Sequence, residues 1–288
     1  MAKSSKIFIP NTITSLNLLC GAIAIVLAIQ GEVKIAGILI LLASVFDFFD
    51  GFVARKIGAM SEFGKQLDSM ADLVSFGMAP TAIMYELLRF SLKLYGGFNN
   101  QTTINMLLLS ISFIIVIMSA IRLAKFNISE NQKNSFLGLP TPAFAIFIAS
   151  LPLISLLEPE KFVWFNLLQM ATGAEFPFKA TMALLGFQIM VIEKWYFLIP
   201  VTLIFSGLLV SNIHMFSLKF ASMKYSENKL RYNFLIFSAI LCVFLQSIAI
   251  PFIIIAYIII SISTSRLNRY RYLKAKRNMG NFLKPQKS

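Results

Sequence analysis

Charge is scarce in this chain. Only 14% of its 288 residues are Asp, Glu, Lys or Arg, against about 25% in an average soluble domain. Hydrophobic residues make up 57% of the chain and the mean hydropathy is +0.75. So few charges cannot clothe a water-facing surface of this size, and the long apolar runs belong in a bilayer. Cysteine occurs twice, at Cys20 and Cys242, far apart and inside apolar runs; that spacing suggests neither a disulfide framework nor a metal cluster. The lone histidine, His214, falls at the far end of an apolar run, so a histidine-activated serine or cysteine nucleophile is not expected. No Gly/Ser- or Pro-rich linker divides the sequence, which reads as one membrane domain over 1–266 with a basic tail over 267–288. No internal repeat supports the inverted-repeat architecture of many transporters. No small-residue cleavage site follows the apolar stretch behind Lys3 and Lys6, so that stretch is expected to stay as a first span.

What charge there is leans one way, with a formal net charge of +13. In a soluble protein this excess would raise nucleic acid as a partner. Here the basic residues sit between and after apolar runs, with no aromatic-interleaved recognition segment. Positive-inside topology and contact with anionic membrane lipids account for them instead, and no nucleic acid is expected. The tail from Arg266 onward carries no carboxylate and reads as a stop-transfer flank, each basic residue worth about 1 kcal/mol at an anionic surface.

Crossing a hydrocarbon core takes roughly 20 helical residues. Spans are predicted at 12–31, 34–54, 68–90, 103–124, 141–157 and 195–216. The stretch from Asn233 to Ser263 would be about 45 Å long as one straight helix, too long for an ordinary bilayer. As a hairpin with its turn near Gln246 to Pro251 it gives two more spans. Eight spans with an inside N-terminus place 20 of the 26 Lys and Arg on one side, whereas seven would set the basic tail opposite the basic 219–231 loop. The sequence therefore predicts an all-α polytopic bundle with both termini inside. The Phe- and Met-rich segment 158–194 is then the longest outside loop.

Aspartate is confined to one window. All four, Asp47, Asp50, Asp68 and Asp72, lie within 26 residues. Asp47 and Asp50 close the second span; Asp68 and Asp72 open the third. Spacings of three and four put each pair on one helix face. A short connection makes the two helices antiparallel neighbours, so both faces converge at one membrane boundary. Four carboxylates crowded at the edge of a low-dielectric medium repel one another, and burial disfavours their charge. Mg²⁺, Mn²⁺ or Ca²⁺, one ion or two, is the natural compensation for an oxygen-only donor set. The plainer reading is a set of helix-end acids paired with Lys and Arg, which four acids in this arrangement make improbable. Gly51 and Ala54 remove bulk beside the first pair, and Gly64, one turn before Asp68, opens the opposite wall. Arg55 supplies a permanently charged fork suited to phosphate. Acids, small residues and an arginine together describe a metal-bound diphosphate site.

The run Asp47-x2-Asp50-Gly51-x2-Ala54-Arg55-x8-Gly64-x3-Asp68-x3-Asp72 resembles the signature of the CDP-alcohol phosphotransferase family, with no departure from it. The resemblance implies a helical membrane bundle, commonly a homodimer, in which Asp47, Asp50, Asp68 and Asp72 hold Mg²⁺ or Mn²⁺ and Asp72 is the general base. Gly51, Ala54 and Arg55 would line the nucleotide site, with Gly64 opposite. Three further stretches resemble the membrane-embedded phosphatidylserine synthases of bacteria and archaea: Ile9 to Asn17 with Cys20-Gly21, Phe76 to Pro80, and Arg122 to Asn127 with Phe136 to Pro142. They imply CDP-diacylglycerol as donor, L-serine as acceptor, and a prokaryotic plasma membrane with the site on the cytoplasmic side.

Several residues keep two readings. Arg122, with Asn127 and Thr141, is either the holder of the serine carboxylate or one more positive-inside anchor. Asn11 and Thr14 either reach the nucleotide or cap the first helix, and Ser61 is a weaker candidate for the same phosphate site. Three rival functions stand beside the main one: a phosphorylated acceptor, such as glycerol 3-phosphate or an inositol phosphate, which Arg122, Lys125 and Lys133 could serve; a divalent-cation transporter; and a non-catalytic lipid-binding scaffold, which gives no reason for four acids in a cationic protein.

Overall fold

The structure is a computed structural model that describes residues 2–94, 102–128, 136–154, 194–216, 225–245 and 248–282. It is almost entirely helical. The first helix, α1 (Ala2–Ile29), turns at Gly31 and runs back as α2 (Val33–Lys56). Gly31 sits at φ +91°, where a side chain would be strained. The two helices lie close because their facing positions are small: Ala24, Ala28, Ala36 and Ala43 are fully buried.

The next two helices, α3 (Glu62–Leu73) and α4 (Ala79–Ser91), form one rod joined by a wide turn over Val74–Met78. Pro80 has no N–H to close a turn on Phe76, and the Ala79 N–H reaches back to the Val74 carbonyl instead. The turn places Ser75 against α1, where its hydroxyl donates to the Asn17 carbonyl at 2.9 Å. Gly21 makes this crossing possible, because a Cβ there would lie 2.6 Å from the Ser75 Cα.

The rest of the bundle comprises α5 (Thr103–Ser110), which runs through a tight turn into α6 (Ile114–Ile128), then α7 (Thr141–Ile154), α8 (Trp195–Leu209), α9 (Tyr225–Leu245) and α10 (Ala249–Phe282). Two short strands, β1 (Phe136–Leu137) and β2 (His214–Met215), pair antiparallel. The centre is α7, where every residue from Phe144 to Ile154 except the half-buried Ile146 is buried. It packs on α2 where Gly37 brings the backbones together: a Cβ at Gly37 would lie 2.6 Å from the Ala149 carbonyl oxygen.

Three helical stretches, Ile7–Ile29, Val33–Lys56 and Thr103–Ile128, are long and apolar enough to cross a membrane, and at most a third of each is buried within the bundle. Phe48, Ile104 and Ile117 are among the large apolar side chains left on the outside. In water such a surface would aggregate; facing lipid it is what solvates the protein. Several boundaries differ from expectation: α1 starts at Ala2 rather than 12, α6 runs to Ile128 rather than 124, and α10 continues past Ser263 to Phe282. The third helix starts at Glu62 rather than 68, because Ser61 caps it. The helix expected over 195–216 ends at Leu209, and the chain then turns back so that His214 lies in β2 rather than at a helix end. Helix α9 ends at Leu245 and α10 begins at Ala249, and residues 246–247 of the expected turn lie outside the described residues. The 158–194 segment lies outside the described residues.

Candidate metal and phosphate site

The connection between the acid pairs is built by two caps. At the end of α2 the Ala59 N–H donates to the Ala54 carbonyl at 2.9 Å and the Gly58 N–H to the Arg55 carbonyl at 3.4 Å. Gly58 sits at φ +65°, the left-handed conformation this helix ending demands. Three residues on, Ser61 Oγ accepts from the Gly64 N–H at 3.0 Å and starts α3. The chain thus reverses within a few residues, and the last turns of α2 face the first turns of α3.

This reversal brings the aspartates together. Asp47, Asp50 and Asp68 each present a carboxylate oxygen within 4.8 Å of the other two. Asp72, one turn further along α3, lies within hydrogen-bonding reach of Asp47 and in electrostatic contact with Asp68 and Asp50. Asp50 is fixed by α1: Thr14 Oγ1 donates to Asp50 Oδ2 at 2.7 Å, both residues being buried. Among the described residues none of the four forms an ion pair, and the single pair found is Glu86 with Arg89 on α4. The reading of helix-end acids neutralised by Lys or Arg is therefore not what these side chains do. Asp68 Oδ1 and Asp72 Oδ1 are shut off from solvent and accept no hydrogen bond. Buried carboxylate oxygens without a donor are costly. An oxygen-only cluster of this kind could hold a hard divalent cation between Asp47, Asp50 and Asp68, with Asp72 outside that group of three and against Asp47.

The small residues act differently from expectation. The space beside Gly51 is taken by Arg55, whose Nη1 would lie 3.3 Å from a Cβ placed there. Gly51 therefore lets the guanidinium fold back along α2 toward Asp50, with Arg55 itself exposed. Beside Gly64, Asn11 Oδ1 and Ser61 Oγ would each meet a Cβ at 3.1 Å, so Asn11 from α1 reaches the start of α3. Thr14 does not cap α1; it braces a carboxylate. Ser61 is a cap. Ala54 supplies a carbonyl to the end of α2 and stays half-buried.

Arg122 and Thr141 also meet. Arg122 is buried on α6 and its Nη1 donates to Thr141 Oγ1 at 3.2 Å, at the start of α7. Its Nε has no partner, and its charge acts on Asp72. A positive-inside anchor would be solvated at the surface; this arginine is buried where α6 meets the start of α7. Asn127 is not with them. Its Nδ2 donates to Ser69 Oγ at 2.9 Å, and its carbonyl lies 3.5 Å from Lys65 Nζ, tying the end of α6 to α3. Asn17 was not among the expected site residues, yet it is fully buried one turn beyond Thr14 and its amide has no partner. Its place three residues after Thr14 on the same helix face was the available signal.

Residues 7–178 match the CDP-alcohol phosphatidyltransferase family. The chain is 36% identical over 135 residues to the CDP-diacylglycerol–serine O-phosphatidyltransferase of Bacillus subtilis (strain 168), covering 47% of this chain and 70% of that protein. It is 36% identical over 149 residues to the archaetidylserine synthase of Methanothermobacter thermautotrophicus, covering 51% and 58%. It is 39% identical over 142 residues to the CDP-diacylglycerol–serine O-phosphatidyltransferase of Methanocaldococcus jannaschii, covering 49% and 59%. The matches thus span about half of this chain and between 58 and 70% of these relatives.

Proposed function

We propose that this chain, which belongs to the CDP-alcohol phosphatidyltransferase family, is an enzyme that transfers a phosphatidyl group from CDP-diacylglycerol to the hydroxyl of L-serine and releases CMP. The observation that carries this reading is the unpaired aspartate cluster with the buried Arg122 set against it. The relatives named as serine transferases supply the acceptor.

Mg²⁺ or Mn²⁺ held by Asp47, Asp50, Asp68 and Asp72, in our reading two ions, supplies charge neutralisation for the diphosphate and for the departing CMP. Arg55, free to swing from its place over Gly51, holds a phosphate oxygen with its fork. Asn11, beside Gly64, is placed to hydrogen-bond the nucleotide. Asp72 takes the proton of the acceptor hydroxyl. That oxygen bonds to the phosphorus carrying diacylglycerol as the bond from phosphorus to CMP breaks. Arg122, kept in place by Thr141, holds the serine carboxylate and so sets the hydroxyl beside Asp72. No protein nucleophile is required.

The wider arrangement we infer is eight spans with both termini and the site on the cytoplasmic side of a prokaryotic plasma membrane, and assembly as a homodimer. The acids sit at helix ends beside Gly, Ala and Arg, which speaks for a phosphate site and against a cation pathway through the bilayer. A phosphorylated acceptor is the competing reading within the family, with Lys125 as its second cation.

The test is transfer of labelled serine into lipid by the purified protein with CDP-diacylglycerol and Mn²⁺ or Mg²⁺. Phosphatidylserine should form only with metal, and Asp72→Asn should lower the rate by at least about 10²-fold. Product with glycerol 3-phosphate or an inositol phosphate, and none with serine, would overturn the acceptor. No CMP release with any alcohol would overturn the activity.

A further inference from the structure

Beside Arg122 lies a cavity of about 330 Å³ walled by the end of α6, by Leu137 of β1 and by the segment leaving α8. On one side α6 contributes Arg122 and Lys125; on the other, the segment leaving α8 contributes Ser211 and Asn212. Arg122 links the cavity to the acids, since it lines the cavity and its charge acts on Asp72.

The Ser211–Asn212 wall is held by hydrogen bonds. The Gly138 N–H donates to the Ile213 carbonyl and the Leu139 N–H to the Leu208 carbonyl, each at 2.9 Å, and the β1–β2 pairing follows directly. Gly138, at φ +73°, leaves no room for a Cβ against this segment: the Ser211 carbonyl oxygen would lie 3.1 Å away. From α10, Tyr257 Oη donates to the Phe216 carbonyl at 3.0 Å, and its ring packs on Phe216 and Phe234. Leu209 to Asn212 lie outside the family match to 7–178, yet they line one side of the cavity.

The two sides differ in chemistry. Arg122 and Lys125 offer positive charge to a carboxylate. Ser211 gives its only hydroxyl proton to the Leu208 carbonyl at 2.9 Å, so it meets a ligand as an acceptor. Asn212 brings an amide whose carbonyl oxygen can accept, beside an N–H₂ that can donate. Cations facing uncharged acceptors suit a zwitterion, with carboxylate to one side and ammonium to the other. A phosphorylated alcohol brings only neutral hydroxyls to the acceptor side and forgoes the charge-assisted bonds an ammonium makes there.

We propose that Ser211 and Asn212 select the acceptor by binding the ammonium group of an amino-acid alcohol whose carboxylate lies on Arg122, with Tyr257 as the positioning residue for their segment. This rests on the reading of the chain as a phosphatidyl transferase to serine, and deepens it. The experiment compares L-serine with 3-hydroxypropanoate, which keeps the hydroxyl and carboxylate and lacks the amine, in the purified full-length protein with CDP-diacylglycerol and Mn²⁺. Ser211→Ala and Asn212→Ala should each raise the KM for serine about tenfold, the loss expected for one hydrogen bond to a charged group. The kcat and the KM for CDP-diacylglycerol should hold, and the preference for serine over 3-hydroxypropanoate should fall by the same factor. Asn212→Asp, at an exposed position, should keep the serine KM and sharpen the preference. Tyr257→Phe should raise the serine KM at unchanged kcat, whereas a merely structural role would lower kcat and thermal stability together. Wild-type protein that makes phosphatidylserine, beside variants with unchanged serine KM and preference, would overturn this inference alone. Wild-type protein that releases CMP with other alcohols and not with serine would overturn the functional reading beneath it.

Discussion

Asp50 cannot turn freely, because Thr14 from another helix holds one of its oxygens at 2.7 Å. A carboxylate oriented in this way presents its remaining oxygen in one direction, and residues that orient metal ligands typically contribute 10–100-fold in affinity. Thr14→Val removes the hydroxyl while keeping the buried volume. We expect the metal concentration for half-maximal activity to rise by at least about tenfold, with maximal rate largely recovered at saturating metal. A metal titration of the purified variant checks this. The sequence marked Thr14 and Asn11 as polar residues near the start of a span but left open what they touch, because a contact between residues 36 apart has no local signature. Gly51 was legible as a position that must stay small. Its reason was not: the space serves the protein's own arginine as it folds back.

At the scale of elements, the four aspartates were readable because their spacing is short-range and helical periodicity fixes which face they share. The cap at Gly58 and Ser61, which turns two helices into one site, rests on backbone conformation and left only a weak trace in the residues. The small residues at helix crossings divide the same way. A Cβ at Gly37 would strike the Ala149 backbone carbonyl, whereas one at Gly207 in α8 meets nothing within 4 Å. Gly37→Ala should therefore destabilise the bundle by about 1–3 kcal/mol, since backbone must move. Gly207→Ala should be neutral or stabilising by up to about 1 kcal/mol through helix propensity. Thermal unfolding of the two variants in detergent should move the midpoint in opposite directions, or leave Gly207→Ala unmoved.

For the whole molecule, composition and periodicity carried the helical membrane class, and the charge pattern carried the proposed orientation. Neither could place residues 209–216. The apolar run there continues past Leu209, while Gly138 and β1 pull the backbone out of the helix through hydrogen bonds to a segment some 70 residues away in the sequence. Nor could they place Tyr257 on Phe216, a contact spanning 41 residues. The eight-span arrangement predicts that the basic tail and the basic loops share a side. Ser288→Cys, in a Cys20→Ala, Cys242→Ala background, should resist a membrane-impermeant maleimide in intact cells and react once the membrane is opened. Labelling in intact cells would put the tail outside and favour seven spans.

The account stands on the aspartate cluster being a divalent-cation site that serves a diphosphate. Its most direct test is Mn²⁺ binding to the purified protein by electron paramagnetic resonance, with and without CDP-diacylglycerol. Wild-type protein should bind Mn²⁺ and bind it more tightly with the donor lipid present; Asp47→Asn and Asp68→Asn should lose that binding while remaining folded. Absence of Mn²⁺ binding in the wild type, or equal binding in the two variants, would contradict the account.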